Sequence, residues 1–322
     1  METTMIKTPS AELRVVDSGN SRQITIKGKA RHHGRLQTFL QTVETPLSLH
    51  ALEMLVKEHG DWWLDEIERR QDPTYLRRRL ESLIARFGTV KDKKILDMGS
   101  GGGSSALVLM DLGAASVQGV EPNGELVNIA TVRAHDEGMS DHVSFTQIAD
   151  TSKLPFESNS FDIVTFNAVL EHIPPAMRTP ILKEAWLCLK PGGLMVFTET
   201  PNRVFPYDGH TSNLPLVPWM PLWLSYPFVK TFSRHVHGGQ SKEAYVAQGL
   251  VGGSYRQIKR ALPKAVCLNA KGGDALWKTT IHPTLFIIRY SLYVLEWFVN
   301  LFGWPLNAFM PMMDLVFKKT IC

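Results

Sequence analysis

An α/β fold, a doubly wound and mostly parallel sheet with helices on both faces, is predicted by three observations. The first is Lys94-Ile-Leu-Asp-Met-Gly-Ser-Gly-Gly-Gly-Ser104, where a short apolar run meets glycines at Gly99, Gly101, Gly102 and Gly103. A segment of helical character, Ser105 to Leu112, follows at once. The second is a regular alternation over the next hundred residues. Strands are predicted at 94–98, 116–121, 143–148, 161–166 and 194–199, with helices to about 112 and at 124–137 and 177–190. Such alternation implies parallel strands joined by right-handed helical crossovers. The third is that chemistry-bearing residues fall at strand ends, the edge where open α/β sheets bind ligands.

The glycine turn fits a nucleotide-binding loop, because glycine lets a ligand lie against bare backbone. A helix start adds unpaired N–H groups. Gly99, Gly101 and Ser104 also pass as a loose dinucleotide fingerprint, and an oxidoreductase therefore stays an alternative. Two acids favour another ligand. Asp97 stands at the mouth of the first strand, where a carboxylate can hold an ammonium group. Glu121, followed by Pro122, ends the second strand and can accept hydrogen bonds from both hydroxyls of a ribose. A ligand with an ammonium and a ribose but no pyrophosphate is S-adenosylmethionine (SAM).

From about Lys94 to Glu199 the sequence resembles the class I SAM-dependent methyltransferases. The resemblance rests on Asp97-Met-Gly-Ser-Gly-Gly-Gly103, Glu121, Ala149-Asp150, Phe161 to Asn167 with Glu171-His172, and Leu189-Lys-Pro-Gly-Gly193. It implies a seven-stranded, Rossmann-like sheet and a SAM site of Asp97, Gly99, Ser100, Gly101, Gly103, Glu121, Pro122, Asp150 and Asn167. In the family the acid matching Asp150 contacts the adenine amino group, and the segment matching Asn167 to His172 lines the methionine end. His172 is the first candidate for a base, with Glu171 beside it to orient it, and a structural role at the start of a helix is the alternative. His210 is a second, weaker candidate. No metal is expected, because His235 and His237 lack a clear third ligand.

The remaining chain divides around that core. Residues 1–44 read as a polar extension with short strands near Val15-Val16 and Gln23–Lys27, and Arg31-His-His-Gly-Arg35 as a solvated loop. Over 45–90, helices are predicted, the first capped by Thr45 with Pro46 in its first turn. Trp62 and Trp63 read as packing against the sheet, with an acceptor pocket as the other reading; Arg69, Arg70, Arg77, Arg78 and Arg79 read as a solvated helix face. Residues 91–200 form the SAM-binding core. Residues 201–262 are assigned to an inserted apolar cap that binds the acceptor, where four prolines between Pro215 and Val229 exclude one regular helix. Residues 263–322 complete the sheet, with strands at 265–269 and 315–318 and an inserted apolar helix at 284–303. That helix contains Arg289 and Glu296, which argues against a transmembrane span, and peripheral membrane contact is compatible with it.

Composition limits the function. Of 322 residues, 44% are hydrophobic and 20% charged, the balance of a globular chain with ample core. A net charge of +4 does not imply nucleic acid. Cys188, Cys267 and Cys322 are odd in number and far apart, so a reducing, cytoplasmic setting is expected, and no secretory signal is visible at the N-terminus. The expected activity is transfer of a methyl group from SAM to a small apolar or lipid-like acceptor, most readily at oxygen. A sugar or other polar metabolite is the alternative acceptor, and a SAM-binding scaffold without turnover the alternative of another class.

Overall fold

The structure is a computed structural model that describes residues 3–19, 21–32, 35–150, 152–233, 241–262, 264–269 and 286–321. It separates into two compact units, Met1–Asp150 and Thr151–Cys322. One seven-stranded sheet has the order β12-β13-β9-β8-β5-β6-β7, with strand ranges given below.

The first unit begins with an antiparallel four-stranded meander: β1 (Thr3–Lys7), β2 (Ala11–Asp17), β3 (Arg22–His32) and β4 (Arg35–Thr45). This replaces the short isolated strands expected there. Alternate residues of β2 and β3 (Leu13, Val15, Ile24, Ile26, Ala30) are buried, while the residues between them carry charge and make the segment read as polar. Arg31 and His32 belong to β3 rather than a solvated loop. The Arg31 guanidinium stacks 4.3 Å from the centre of the Trp62 ring, and His32 Nδ1 lies 2.6 Å from Glu68 Oε1.

The buried face of this sheet packs on α1 (Leu49–His59) and α2 (Trp63–Gln71) through Leu52, Leu55, Trp63, Leu64 and Ile67. Ser48, not Thr45, caps α1, accepting from the Ala51 N–H, because β4 runs on to Thr45. Arg70 also departs from the solvated face expected of it. Its guanidinium pairs with Asp111 at 2.7 Å and Glu137 at 2.6 Å. A π-turn, Pro73–Arg77, leads into α3 (Arg78–Ile84). Then β5 (Lys94–Met98), α4 (Ser104–Asp111), β6 (Ser116–Glu121), α5 (Gly124–Asp136) and β7 (Val143–Gln147) follow, with β5, β6 and β7 parallel.

The second unit contains β8 (Phe161–Asn167), α6 (Pro175–Cys188) and β9 (Leu189–Pro201), with β8 and β9 parallel. Leu189–Gly193 is thus part of β9 rather than a loop before it. Two two-residue strands, β10 (Tyr207–Asp208) and β11 (Leu214–Pro215), pair antiparallel across a turn at residues 209–213. The proline-rich stretch is not one regular helix: β11 ends at Pro215, a 3-10 turn spans Val217–Trp219, and α7 (Leu222–Phe232), with Pro227 inside it, follows. Two short helices, α8 (Lys242–Ala247) and α9 (Tyr255–Ala261), precede β12 (Val266–Cys267). The long apolar segment forms α10 (Phe286–Leu301), and β13 (Met312–Lys318) returns antiparallel to β9 and β12.

In α10 Glu296 and Val299 are buried, whereas Tyr290, Tyr293, Trp297, Phe298 and Leu301 are exposed. Among the described residues, no helix is long and apolar enough to cross a membrane. Cys188 and Cys267 are buried free thiols, and Cys322 lies outside the described residues.

Trp63 is the largest fully buried side chain of the first unit's core. Trp63→Ala should destabilise the protein by about 3–5 kcal/mol, read as a shift in a denaturant-unfolding midpoint.

Candidate functional site

In the first unit the glycine loop is held from three sides. The amides of Gly99 and Ser100 donate to the Val120 carbonyl at 2.8 and 3.0 Å, which ties the loop to β6. Glu121, nearly buried at the end of β6, accepts from the Gly101 amide at 3.1 Å on one oxygen and from the Asn123 amide at 3.1 Å on the other. Asp97 is fully buried, and its carboxylate accepts the Ser105 hydroxyl at 2.5 Å, joining the end of β5 to the first turn of α4. Its observed contact therefore lies inside the loop.

Arg133 holds the third side, and sequence reasoning missed it. Its guanidinium donates to the Gly102 carbonyl at 2.9 Å, the Ser104 hydroxyl at 3.1 Å and the Glu66 carbonyl at 3.3 Å. Burial lowers its pKa, against the opposing pull of Glu66 and Glu137. A signal existed: Arg133 falls on the same face of α5 as buried Ile129, Ala130 and Ala134.

Gly101 and Gly103 take positive φ, +52° and +88°. A Cβ on Gly103 would press on Ala130 and Phe145 at 3.0 and 3.1 Å, whereas one on Gly101 would meet only open space. The loop is therefore packed behind and bare in front. Helix α4 starts at Ser104, so the amides of its first turn have no partner within the helix. Among the described residues the Ser100 hydroxyl, also buried, has no hydrogen-bond partner. Bare backbone, unpaired amides and adjacent carboxylates fit a ligand that combines cationic and hydroxyl groups, as SAM does. Pro122 and Asp150 are exposed on the same unit, and the Pro122 carbonyl accepts from Gln147 at 3.2 Å.

The second unit carries the other candidates. Asn167 ends β8 and accepts the Thr198 hydroxyl, and Ala168 turns the chain sharply at φ +54°. Glu171 and His172 follow in the turn before α6. Glu171 is fully buried and His172 exposed, with His172 Nε2 at 3.8 Å from Glu171 Oε1. His172 Nδ1 lies 2.6 Å from the Ala247 carbonyl, which can only accept, so Nδ1 carries a proton.

His210 sits in the β10–β11 turn, its ring centre 5.8 Å from that of His172. Asp208 shapes this turn by accepting from the amides of His210, Thr211 and Ser212 and from the Ser212 hydroxyl. The His210 pKa is lowered by desolvation first and then by His172, while Asp208 and Glu199 pull it upward. His235 and His237 lie outside the described residues.

The turn before α6 is fixed by a buried arginine that sequence reasoning also missed. Arg178 donates to the carbonyls of Ile173 at 2.8 Å, Gly252 at 2.9 Å, Glu171 at 3.1 Å and Val251. Desolvation lowers its pKa to about 10, with Glu171 opposing. Gly249, at φ +93°, packs so closely that a Cβ there would lie 2.9 Å from the His210 ring and 3.2 Å from Glu171 Cγ.

Removing the carboxylate that joins two loop amides should release the loop. Glu121→Ala is expected to weaken SAM binding more than about 100-fold, measured by calorimetry on protein shown to be folded, since it removes charge-assisted hydrogen bonds worth ~1.5–3 kcal/mol each.

Residues 96–197 match the family model described as a methyltransferase domain. Methyltransferase GfsG of Streptomyces halstedii is 31% identical over 122 residues, covering 38% of this chain and 43% of that one. A ubiquinone biosynthesis O-methyltransferase of Coxiella burnetii is 32% identical over 146 residues, 45% of this chain and 58% of that one. Among solved structures, a SAM-dependent methyltransferase of Methanosarcina mazei is 32% identical, covering 35% of this chain and 54% of that one, with a TM-score of 0.32. The chain thus spans about half the length of the curated relatives it matches. Residues 96–197, with their glycine loop and the acid that closes it, thus form a methyltransferase domain similar to those of the class I SAM-dependent methyltransferases.

Proposed function

We infer that this chain transfers a methyl group from SAM to a hydroxyl of a small acceptor with an apolar body. The observation that carries the reading is a cavity of about 150 Å³ in the second unit, bordered by Phe205, Tyr207, Leu250 and Met312 and reaching His210. That volume suits one ring-sized apolar group. An apolar enclosure with a few convergent polar groups is the usual form of a small-molecule site. Residues 201–262, assigned from sequence to acceptor binding, supply most of its lining. One of the named relatives, the ubiquinone biosynthesis O-methyltransferase, supports oxygen as the atom methylated.

The first unit supplies the donor's binding groups: the amides of Gly99 to Gly103, Asp97, Glu121 and Asp150. The reaction is an in-line displacement, in which the acceptor oxygen forms a bond to the methyl carbon. The carbon–sulfur bond breaks with its electron pair on sulfur, and the hydroxyl proton departs. Sulfonium chemistry demands little beyond alignment and exclusion of water, and alignment can lower a barrier by about 7–11 kcal/mol. The remaining demand is a weakened O–H bond, and the Glu171–His172–His210 cluster is the group assigned to it.

One observation favours a second reading, a polar acceptor. A cavity of about 300 Å³ is lined by Arg178, Arg203, Arg256 and Arg260, and Arg203 also borders the apolar cavity. Four guanidinium groups suit a phosphate or carboxylate.

Incubation with labelled SAM and separate lipid and polar extracts of the protein's own cells tests both readings. Label in a lipid product one methylene heavier supports the apolar acceptor; label in an anionic polar product supports the second. SAM binding without transfer to either extract would mark a scaffold instead. His172→Ala should retain SAM binding and slow turnover by about 10²–10⁴-fold. Unchanged turnover would remove His172 from the reaction.

A further inference from the structure

We propose that Glu171, His172 and His210 form a three-ligand site for a divalent transition-metal cation of the zinc type. The cation, rather than a free imidazole, then weakens the acceptor's O–H bond. The second statement rests on the methyltransferase reading above; the first does not.

Donor atoms of the three side chains, one from each, all lie within 4.8 Å of one another. Two imidazoles and one carboxylate with a position left open is a recurrent donor set for catalytic zinc. Around such a cation the donors sit about 3.3–3.6 Å apart, given metal–ligand distances of about 2.0–2.2 Å. Closure by roughly an ångström is required. Both histidines lie in turns and keep exposed edges, so side-chain rotation can supply it.

The protonation pattern is the more telling observation. A metal-bound histidine almost always donates its other N–H to a carbonyl or carboxylate, which fixes the tautomer and the ring. His172 has that arrangement: Nδ1–H on the Ala247 carbonyl at 2.6 Å, and Nε2 turned to Glu171 at 3.8 Å. With one proton committed to Nδ1, Nε2 presents a lone pair to a buried carboxylate. Two acceptors facing each other repel unless a cation or a second proton lies between them.

The surroundings match a positive guest. Besides Glu171, the Asp208 carboxylate stands in the same turn as His210 and accepts its amide at 3.1 Å. Arg178 is the opposing charge, and its described hydrogen bonds run to backbone carbonyls. Gly249 presses on both His210 and Glu171, holding the two turns at one spacing. None of these features is needed for a solvated histidine pair.

In the reaction the acceptor hydroxyl would take an open metal position, where coordination lowers its pKa, as it does for zinc-bound water. Its proton passes to solvent water. The oxygen keeps the electron pair, forms the bond to the methyl carbon, and sulfur receives the pair of the broken bond. The metal's oxidation state does not change.

The test uses tag-free full-length protein stripped with a chelator, titrated with Zn²⁺ by calorimetry and with Co²⁺ by visible absorption. One equivalent should bind at micromolar concentration or tighter. His210→Ala and Glu171→Gln should each weaken binding more than about 100-fold. A double variant, His235→Ala with His237→Ala, should bind as the parent does. No saturable binding, binding unaffected by the first two variants, or binding lost only in the 235/237 variant would each overturn the proposal. Should Glu171→Gln fail to fold by circular dichroism, His210→Ala, in an exposed turn, decides alone. SAM titration of the stripped protein separates the two readings: folded protein that binds zinc but not SAM keeps the metal site and sinks the donor assignment.

Discussion

The donor loop depends on one carboxylate. Glu121 takes the Gly101 amide on one oxygen and the Asn123 amide on the other, so two consecutive loops share one negative group. A carboxylate has about four lone-pair sites, and two backbone bonds leave room for hydroxyl donors from a ligand. The same group therefore shapes the loop and stays chemically open. Asp97 divides its role differently. Buried and bonded to Ser105, it fixes the angle at which α4 leaves the loop, and hence where the helix's unpaired amides point.

The second unit solves a similar problem with other means. Its candidate residues sit in two turns rather than at one glycine loop, and turns need external restraint to hold side chains in register. Ala168 at positive φ bends the chain immediately after β8, a conformation that costs a non-glycine residue about 1 kcal/mol or more. Glu199, also at positive φ, stands where the β9–β13 register shifts, and its amide donates to Asp314 at 3.0 Å. Ala168 directly follows Asn167, and Glu199 directly follows Thr198, whose hydroxyl Asn167 accepts. Regular strand geometry has been given up where side chains must be aimed.

What was legible in the sequence was local. The glycine loop, Glu121 and the alternation of strands and helices are set by spacing within a few residues, and periodicity reports such spacing well. The four-stranded meander was obscured because every second residue of β2 and β3 faces outward and carries polar groups, which dilutes a period-two signal. Of the prolines that break the stretch from Pro215 to Val229, Pro227 alone lies within α7. A proline removes one helical hydrogen bond, and flanking turns can still hold the helix. The pairing of His172 with the Ala247 carbonyl, 75 residues away, has no local trace at all. The burial of Glu296 in α10 is likewise a tertiary choice, since a lone acid on an apolar helix would read as solvent-facing in isolation.

Two buried arginines make the clearest case of long-range organisation. Arg133 and Arg178 are almost wholly buried, and each donates to backbone carbonyls of a loop that carries candidate functional residues, Gly102 for Arg133 and Glu171 and Ile173 for Arg178. Burying a guanidinium costs several kcal/mol of desolvation even after relaxation, so apolar packing would be the cheaper way to gain stability alone. Five N–H donors in a planar fork offer something apolar packing cannot, which is several carbonyls held at set angles by one rigid group. Lysine, a point charge on a flexible stem, could not replace either without leaving carbonyls unmatched. Both arginines are therefore better understood as fixing the shape of a loop than as adding to the stability of a core. The cost of burying charge has been accepted in each unit at the place where backbone geometry decides what a ligand meets.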